Sequence, residues 1–333
     1  MLRIHFTGED LGRTRLATGP EPMWELLLSL HKLTDGEGRM IYDGWRRRVR
    51  AELPPSTRWL LHLAPPVGYS PDFLTPAQEA SDLGTGLDLV LATPRRLVRG
   101  DMATLAAQQT LRGPNTELAD GSARSLHTLG RALRDYHSHA LDPYWARIRA
   151  RVHADLTNRG RTFLHAGIEA VLTDLHPEAE WNSPVLKLPY GREHDVHLDG
   201  RGLRLLPSFF CWKQPFTYYD TDLTPVLAFP IEHDLTWLAP SSRRDPRRPL
   251  AALLGRTRTT VLTELSAPGG CTTTELARRT GISLASASQH AGVLRDAGLI
   301  STVRHGGHVV HSLRPAGESL INAPSGQECP PEE

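Results

Sequence analysis

The 333-residue chain is predicted to be an α+β protein of two domains, and three observations predict it. Residues 272–313 read, without a gap, as two short helical patterns joined by a tight turn and followed by a β-hairpin. Residues 22–175 carry mostly helical periodicity. Residues 184–229 break into short β-prone runs separated by Gly, Pro and Asp. The expected architecture is a large mixed helical amino-terminal domain with a small antiparallel sheet, over residues 1–238. A linker (239–249), a winged helix-turn-helix (250–322) and a disordered tail (323–333) follow.

The first elements are paired strands over residues 2–6 and 13–17, where apolar and polar residues alternate. A helix over residues 22–33 comes next, with Pro22 suited to a first helical position because its missing N–H is not needed there. Further helices are expected over 45–53, 57–63 and 94–108. Between 122 and 156, Leu126, Leu129, Leu133, Tyr136 and Ala140 form one helical stripe, broken near Pro143, and residues 161–175 continue the helical half. The runs VLKLPY, HDVHLDG, LRLLPSFFCW and PVLAFP then predict the strands of the sheet. The segment APSSRRDPRRPL is too rich in Pro, Ser and Arg for a core element and reads as the exposed linker. The terminal APSGQECPPEE cannot bury enough apolar surface to order itself.

Residues 272–275, Thr-Thr-Thr-Glu, form a capping box, in which the Thr272 hydroxyl accepts from the amide near Glu275 and the glutamate reaches back. The helix they start covers 273–280, buries Leu276 and Ala277, and stops at Gly281. Ser283 is the N-cap of a second helix, whose buried stripe is Ala287, Ala291 and Leu294, with Gly298 closing its end. Residues 300–303 and 309–313 flank Arg304-His305-Gly306-Gly307-His308, whose glycines tolerate the positive φ of a tight hairpin. Opposite the buried stripe lie Ser286, Ser288, Gln289 and His290, with no acidic residue before Asp296. Such a face enters a major groove without electrostatic penalty and donates to base edges or phosphates. A merely solvated polar face is the other reading, but the wing placed directly after the second helix has no obvious use in such a module.

The stretch SLASASQHAGVLRDAGLI carries the pattern Ser-x-x-x-x-Ser-x-His-x-x-x-Leu-x-x-Ala-Gly-Leu. Together with TTTELA upstream and the hairpin downstream, it resembles the winged helix-turn-helix of the ArsR-like regulators. With a leading helix over residues 250–267 the resemblance covers about 70 residues. It implies that Leu284, Ala285, Ser288 and Gln289 sit where relatives touch DNA, with Arg304 reaching along the minor groove. Thr273, Ser283, Ser286, His290 and His308 complete the expected DNA-contacting set. Metal-sensing relatives carry paired cysteines on the first helix of the motif, or Asp and His after the wing. TTTELARRT has no cysteine and residues 315–322 have no histidine, so no metal and no cofactor are expected.

The whole chain is nearly neutral, with 38 Lys+Arg against 37 Asp+Glu, but residues 241–320 hold 11 Arg, no Lys and only 5 acidic residues. A basic small domain on a slightly acidic large one is the electrostatic footprint of nucleic-acid binding by the former. No apolar run reaches the ~18 residues of a membrane span, and the amino terminus lacks the apolar centre of a signal peptide. Cys211, Cys271 and Cys329 are too scattered for a disulfide framework or a zinc motif, which suits a reducing cytoplasm. His137 and His139 would point to different helix faces, and His194 and His197 to opposite sides of a strand, so neither pair reads as a metal site.

The amino-terminal domain carries no catalytic motif, so an enzyme is not expected. It does carry Phe209, Phe210, Trp212, Phe216, Tyr218 and Tyr219 within eleven residues of a chain only 6% aromatic. Two readings stay open: these rings fill the core, or Phe210, Trp212, Tyr218 and Tyr219 line a pocket for a small organic effector with Lys213 as a polar handle. The expected function is a cytoplasmic transcriptional regulator, a repressor by family analogy, that binds double-stranded operator DNA as a homodimer. Two other classes remain: an enzyme or an assembly protein that uses the winged helix as an accessory module. The first requires a cleft with strongly perturbed ionisable groups, the second an apolar exposed helix face.

Overall fold

The helix Pro22–Thr34, PMWELLLSLHKLT, is buried at every position from Pro22 to Leu33. A helix buried on all faces belongs in the middle of a structure, and this one organises the amino-terminal unit of the computed structural model. The structure describes residues 1–220, 223–235, 237–238, 247–265, 270–305 and 308–322, with only the backbone for 247–249, 304, 305, 308 and 322. The chain divides into two units, Met1–Leu238 and Ala239–Glu333. Both combine helix with sheet, the α+β class expected. Among the described residues no helix is long and apolar enough to cross a membrane.

In the first unit, helices Arg39–Glu52, Leu60–Leu63 and Leu83–Leu91 pack on the central helix, and Ala123–Ala140 packs on the first and last of these three. The predicted stripe Leu126, Leu129, Leu133, Tyr136 and Ala140 is buried. Pro143 falls in the 3-10 turn Asp142–Tyr144, after which Trp145–Thr173 runs on to a break at Gly167 (φ 78°, ψ −177°). The polar groups that the central helix takes inward are partnered, as burial requires. The Glu25 carboxylate accepts from the amides of Phe209 and Phe210, at 2.8 and 3.1 Å, and from the Ser208 hydroxyl at 3.0 Å. Lys32 Nζ stands 2.5 Å from Asp35, and His31 Nε2 is 2.9 Å from Ser70 Oγ.

The sheet structure differs from the single antiparallel sheet expected. Two four-stranded sheets are present, both mixed. One runs Glu180–Asn182, Val185–Leu188, Leu2–His5, His194–His197, antiparallel except for the last pair. The other runs Arg15–Leu16, Arg204–Ser208, Val226–Pro230, Phe216–Thr217, parallel except for the last pair. All five residues of Arg204–Ser208 are buried, the mark of a strand covered on both faces, where a continuous apolar run replaces alternation. Arg204 is tolerated there through an ion pair with Glu21. Residues 2–6 and 13–17 do not pair with one another. The helix Gly8–Arg13 stands between them, started by a Thr7–Asp10 capping box, and sends Leu2–His5 and Arg15–Leu16 into different sheets. Asp10 also accepts from the amide of Gly202 at 2.7 Å, which ties this corner to the start of the buried strand.

The second unit contains helices Arg247–Leu254, Arg256–Glu264, Thr273–Thr280, Leu284–Asp296 and Pro315–Asn322. Its antiparallel sheet has the order Ile300–His305, His308–Leu313, Cys271–Thr272. Val261, Leu262, Leu265, Cys271, Leu276, Ala291, Leu294 and Ile300 form its core. The single leading helix expected over 250–267 is instead two helices, because Gly255 takes φ 84° and ψ 149° and ends the first. Of the expected linker, 239–246 lies outside the described residues, and 247–249 already belong to a helix. The expected tail, 323–333, and the Gly306–Gly307 tip of the wing also lie outside them.

Candidate nucleic-acid interface

Short-range hydrogen bonds fix the helix-turn-helix. Thr272 Oγ1 accepts from the Glu275 amide at 3.3 Å, and Glu275 Oε2 accepts from the Thr272 amide at 2.9 Å, completing the capping box. These bonds hold the exposed Glu275 carboxyl below its usual range, so it stays ionised at the helix start. Gly281 adopts φ 69°, ψ 24°, and its amide bonds back to the Ala277 carbonyl, which stops the helix. Two residues on, the Ser283 hydroxyl accepts from the Ser286 amide at 3.2 Å and starts Leu284–Asp296.

That second helix is two-faced. Ala287, Ala291 and Leu294 are buried, and the small alanines allow close approach to Arg256–Glu264. Leu284, Ala285, Ser288 and Gln289 are exposed on the other side, with Ser283 beside them at the cap. Leu284, which leads this face, is 55% exposed. Ser286 and His290 are half-buried flank positions, and His290 Nδ1 is enclosed without a hydrogen-bond partner among the described residues, so His290 projects less freely than its place in the sequence suggests. Thr273 is also half-buried, with its hydroxyl 2.9 Å from His311 Nε2, while His311 Nδ1 lies 3.0 Å from Thr302 Oγ1. Alternation along the wing, read from sequence, leaves His305, His308 and His311 as phosphate donors or plain surface residues, and for His311 the structure differs. His311 is buried, bridges the first helix of the motif to the wing, and has its pKa pushed down by that burial. The backbones of Arg304 and His308 pair in the wing, Arg304 opposite Val309 and His308 opposite His305. Their side chains lie outside the described residues.

A two-helix motif with an exposed, acid-free second helix and a β-wing beside it defines a winged helix-turn-helix domain, the DNA-reading part of transcriptional regulators. A family model described as MarR family matches residues 254–308. No curated protein and no solved structure matches the chain. The match supports a regulator-type winged helix at the domain level, and does not extend to the narrower ArsR likeness read from residues 272–313.

In the first unit the four residues predicted for an effector pocket separate. Phe210 and Trp212 line a cavity of about 650 Å³, together with Lys213 and Phe216. Tyr218 does not. It is buried and donates its hydroxyl to the Thr75 carbonyl at 2.7 Å, the way a buried tyrosine is usually satisfied. Tyr219 is exposed, its ring against Tyr69 and Arg192. Phe209 is core, stacked edge-on with Tyr42 and Trp237. Val67, Gln108 and Arg192 also line the cavity, and sequence reasoning missed them because they lie 17 to 142 residues before Phe209, the first of the aromatic cluster.

Three other groups at this cavity, His31, Tyr190 and Cys211, carry ionisation perturbed by burial. Burial pushes the His31 pKa down to about 4 and raises the Cys211 thiol, so neither a charged imidazole nor a thiolate is on offer at neutral pH. Among the described residues no carboxylate is hydrogen-bonded to His31, and its partner Ser70 is not part of the cavity wall. Of the histidine pairs, His137 is buried and His139 exposed, His194 lies 3.1 Å from the Tyr218 carbonyl, and His197 stacks on His5 at 4.3 Å. Among the described residues no group of three or more His, Cys, Asp or Glu could hold a metal ion.

Proposed function

We propose that the chain is a transcriptional repressor of the cytoplasm that binds operator DNA as a homodimer and is released when a small organic effector occupies the amino-terminal unit. One observation carries the DNA reading: the exposed face of Leu284–Asp296, where Leu284, Ala285, Ser288 and Gln289 stand clear of the core with no acid before Asp296. Small and amide side chains at the start of such a helix reach base edges, and Gln pairs bidentately with adenine. An assembly module would require a continuous apolar face here, and Ser288 and Gln289 interrupt the one that Leu284 and Ala285 begin. The dimer follows from reach: one helix reads too few base pairs, and two-fold proteins match palindromic half-sites about one helical turn apart.

Effector release rests on the 650 Å³ cavity, which lies in the unit that does not carry the winged helix. A ligand shifts DNA binding only through its different affinity for the bound and free states. Selection of genomic fragments by the purified full-length protein tests the reading. Enriched fragments should share an inverted repeat with half-sites about one turn apart. Recovery of fragments with no common sequence would overturn operator recognition.

A further inference from the structure

The 650 Å³ cavity of the first unit combines apolar walls with a charged rim, in which Lys32, Arg192 and Lys213 stand with the carboxylates of Asp35 and Glu37. Leu28 from the central helix, with Phe210 and Phe216, forms the floor. Val67 at the wall is 86% exposed, an apolar side chain left facing water. The size suits a small organic ligand, for which about 300–1,000 Å³ is usual.

Three cations line this space, two of them beside its carboxylates Asp35 and Glu37, and they differ in what they are free to do. Lys32 is buried and closed on Asp35 at 2.5 Å, so its charge is already neutralised. Arg192 is exposed and lies 4.4 Å from the centre of the Tyr219 ring. Its neighbour Glu193 is engaged by Arg3 at 2.5 Å and by the amino terminus at 3.6 Å, and among the described residues no carboxylate reaches Arg192. Lys213 makes only a loose pair, 3.7 Å from Glu37, with both side chains well exposed. Its backbone sits at φ 59°, a left-handed conformation that a lysine adopts at a cost. Non-glycine residues held in this way concentrate at ligand clamps and switch regions.

We propose that this cavity binds a small amphiphilic organic anion, with its apolar body on the Phe210–Phe216 floor and its carboxylate or sulfonate against Arg192, with Lys213 as the second cation. A planar guanidinium with no carboxylate partner is the group best suited to a two-pronged grip on a carboxylate. The inference rests on the reading of the first unit as the effector-binding part, but it concerns ligand binding itself and is measured without DNA.

The test is calorimetric titration of the full-length protein with naphthalene-1-carboxylate, its neutral carboxamide and the cationic naphthylmethylamine. Anilinonaphthalene sulfonate serves as a second, fluorescent anion. The carboxylate should bind saturably and about tenfold or more tighter than the carboxamide, with the amine weakest. Arg192→Ala should bring the carboxylate down to the level of the carboxamide and leave carboxamide binding unchanged, while Arg192→Lys retains part of the preference. Arg192 is exposed, so neither variant threatens the fold, and circular dichroism confirms that. Equal affinity for carboxylate and carboxamide, preference for the amine, or no saturable binding of either anion would overturn the proposal. Operator binding with the same carboxylate separates the two readings. Arg192-dependent binding without release from DNA keeps the ligand class and removes effector control.

Discussion

The helix-turn-helix and wing of the second unit are started and capped by contacts between near neighbours in sequence, with longer ones such as Thr273–His311 tying them together, whereas the first unit depends on pairings across nearly its whole length. In the winged helix, Thr272 caps through Glu275, Ser283 through Ser286, and the strands of the wing pair across a short tip. In the first unit, Leu2–His5 pairs with Val185–Leu188 and with His194–His197, and Arg15–Leu16 pairs with residues of Arg204–Ser208. Glu25 likewise fixes the turn after Ser208 through bonds that span more than 180 residues. Local contacts leave their mark on a short stretch of sequence, and distant ones do not.

Substitutions in the two cores sharpen this contrast most. Trp45 is fully buried and donates Nε1 to the Ala140 carbonyl at 2.8 Å. Trp45→Ala should cost the first unit about 3–5 kcal/mol, from lost burial and a residual cavity. The winged-helix counterpart, Leu294→Ala, should cost the second unit about 2–5 kcal/mol. Denaturant unfolding followed by hydrogen exchange would show each change confined to its own unit. Equal loss of protection in both units from either change would mean that they unfold as one.

The next largest effect is pH-dependent and belongs to the first unit alone. Burial pushes the Glu25 carboxyl up to about 7 from its usual 4.5, against the three donors it accepts. A carboxyl raised in the folded state holds its proton more tightly there than in the unfolded chain. Its contribution is therefore fully favourable below about 4.5 and is lost as pH rises towards 7, a change of roughly 3 kcal/mol. Glu25→Gln keeps an acceptor oxygen and removes the titration. The stability of wild type relative to Glu25→Gln should thus fall between pH 4.5 and pH 7, read from paired urea melts. A difference that stays flat with pH would place the ionisation elsewhere.

A smaller effect tests the local logic of the second unit. Thr272→Ala removes the acceptor for the Glu275 amide and should cost about 1 kcal/mol. Amide exchange in the first turn of Thr273–Thr280 is the readout. Unchanged protection there would show that tertiary packing, not the cap, sets the start of that helix.

What was legible follows the same division. The caps, Gly281, the buried stripe Ala287–Ala291–Leu294 and the hairpin could be read because each signal lies within a few residues of its partner. The stripe of Ala123–Ala140 was readable for the same reason. Strand partners were not, since alternation marks a strand without naming its neighbour, and Gly8–Arg13 is too short for helical periodicity to show. The burial of His311 was not legible, because alternation in the wing gives no sign that Thr273 and Thr302 would close over it. The cavity was half legible. The aromatic run drew attention to Phe210 and Trp212, but only the fold brings Val67, Gln108 and Arg192 to the same space.

The account turns on whether the exposed face of Leu284–Asp296 reads sequence. Competition titration of Ser288→Ala and Gln289→Ala against a selected operator and random duplex measures this directly. Each change should weaken operator binding by about 1–3 kcal/mol and leave binding to random DNA nearly unchanged, because base contacts specify and phosphate contacts do not. Full retention of sequence preference by both variants would contradict the account, and would mean that another element enters the groove.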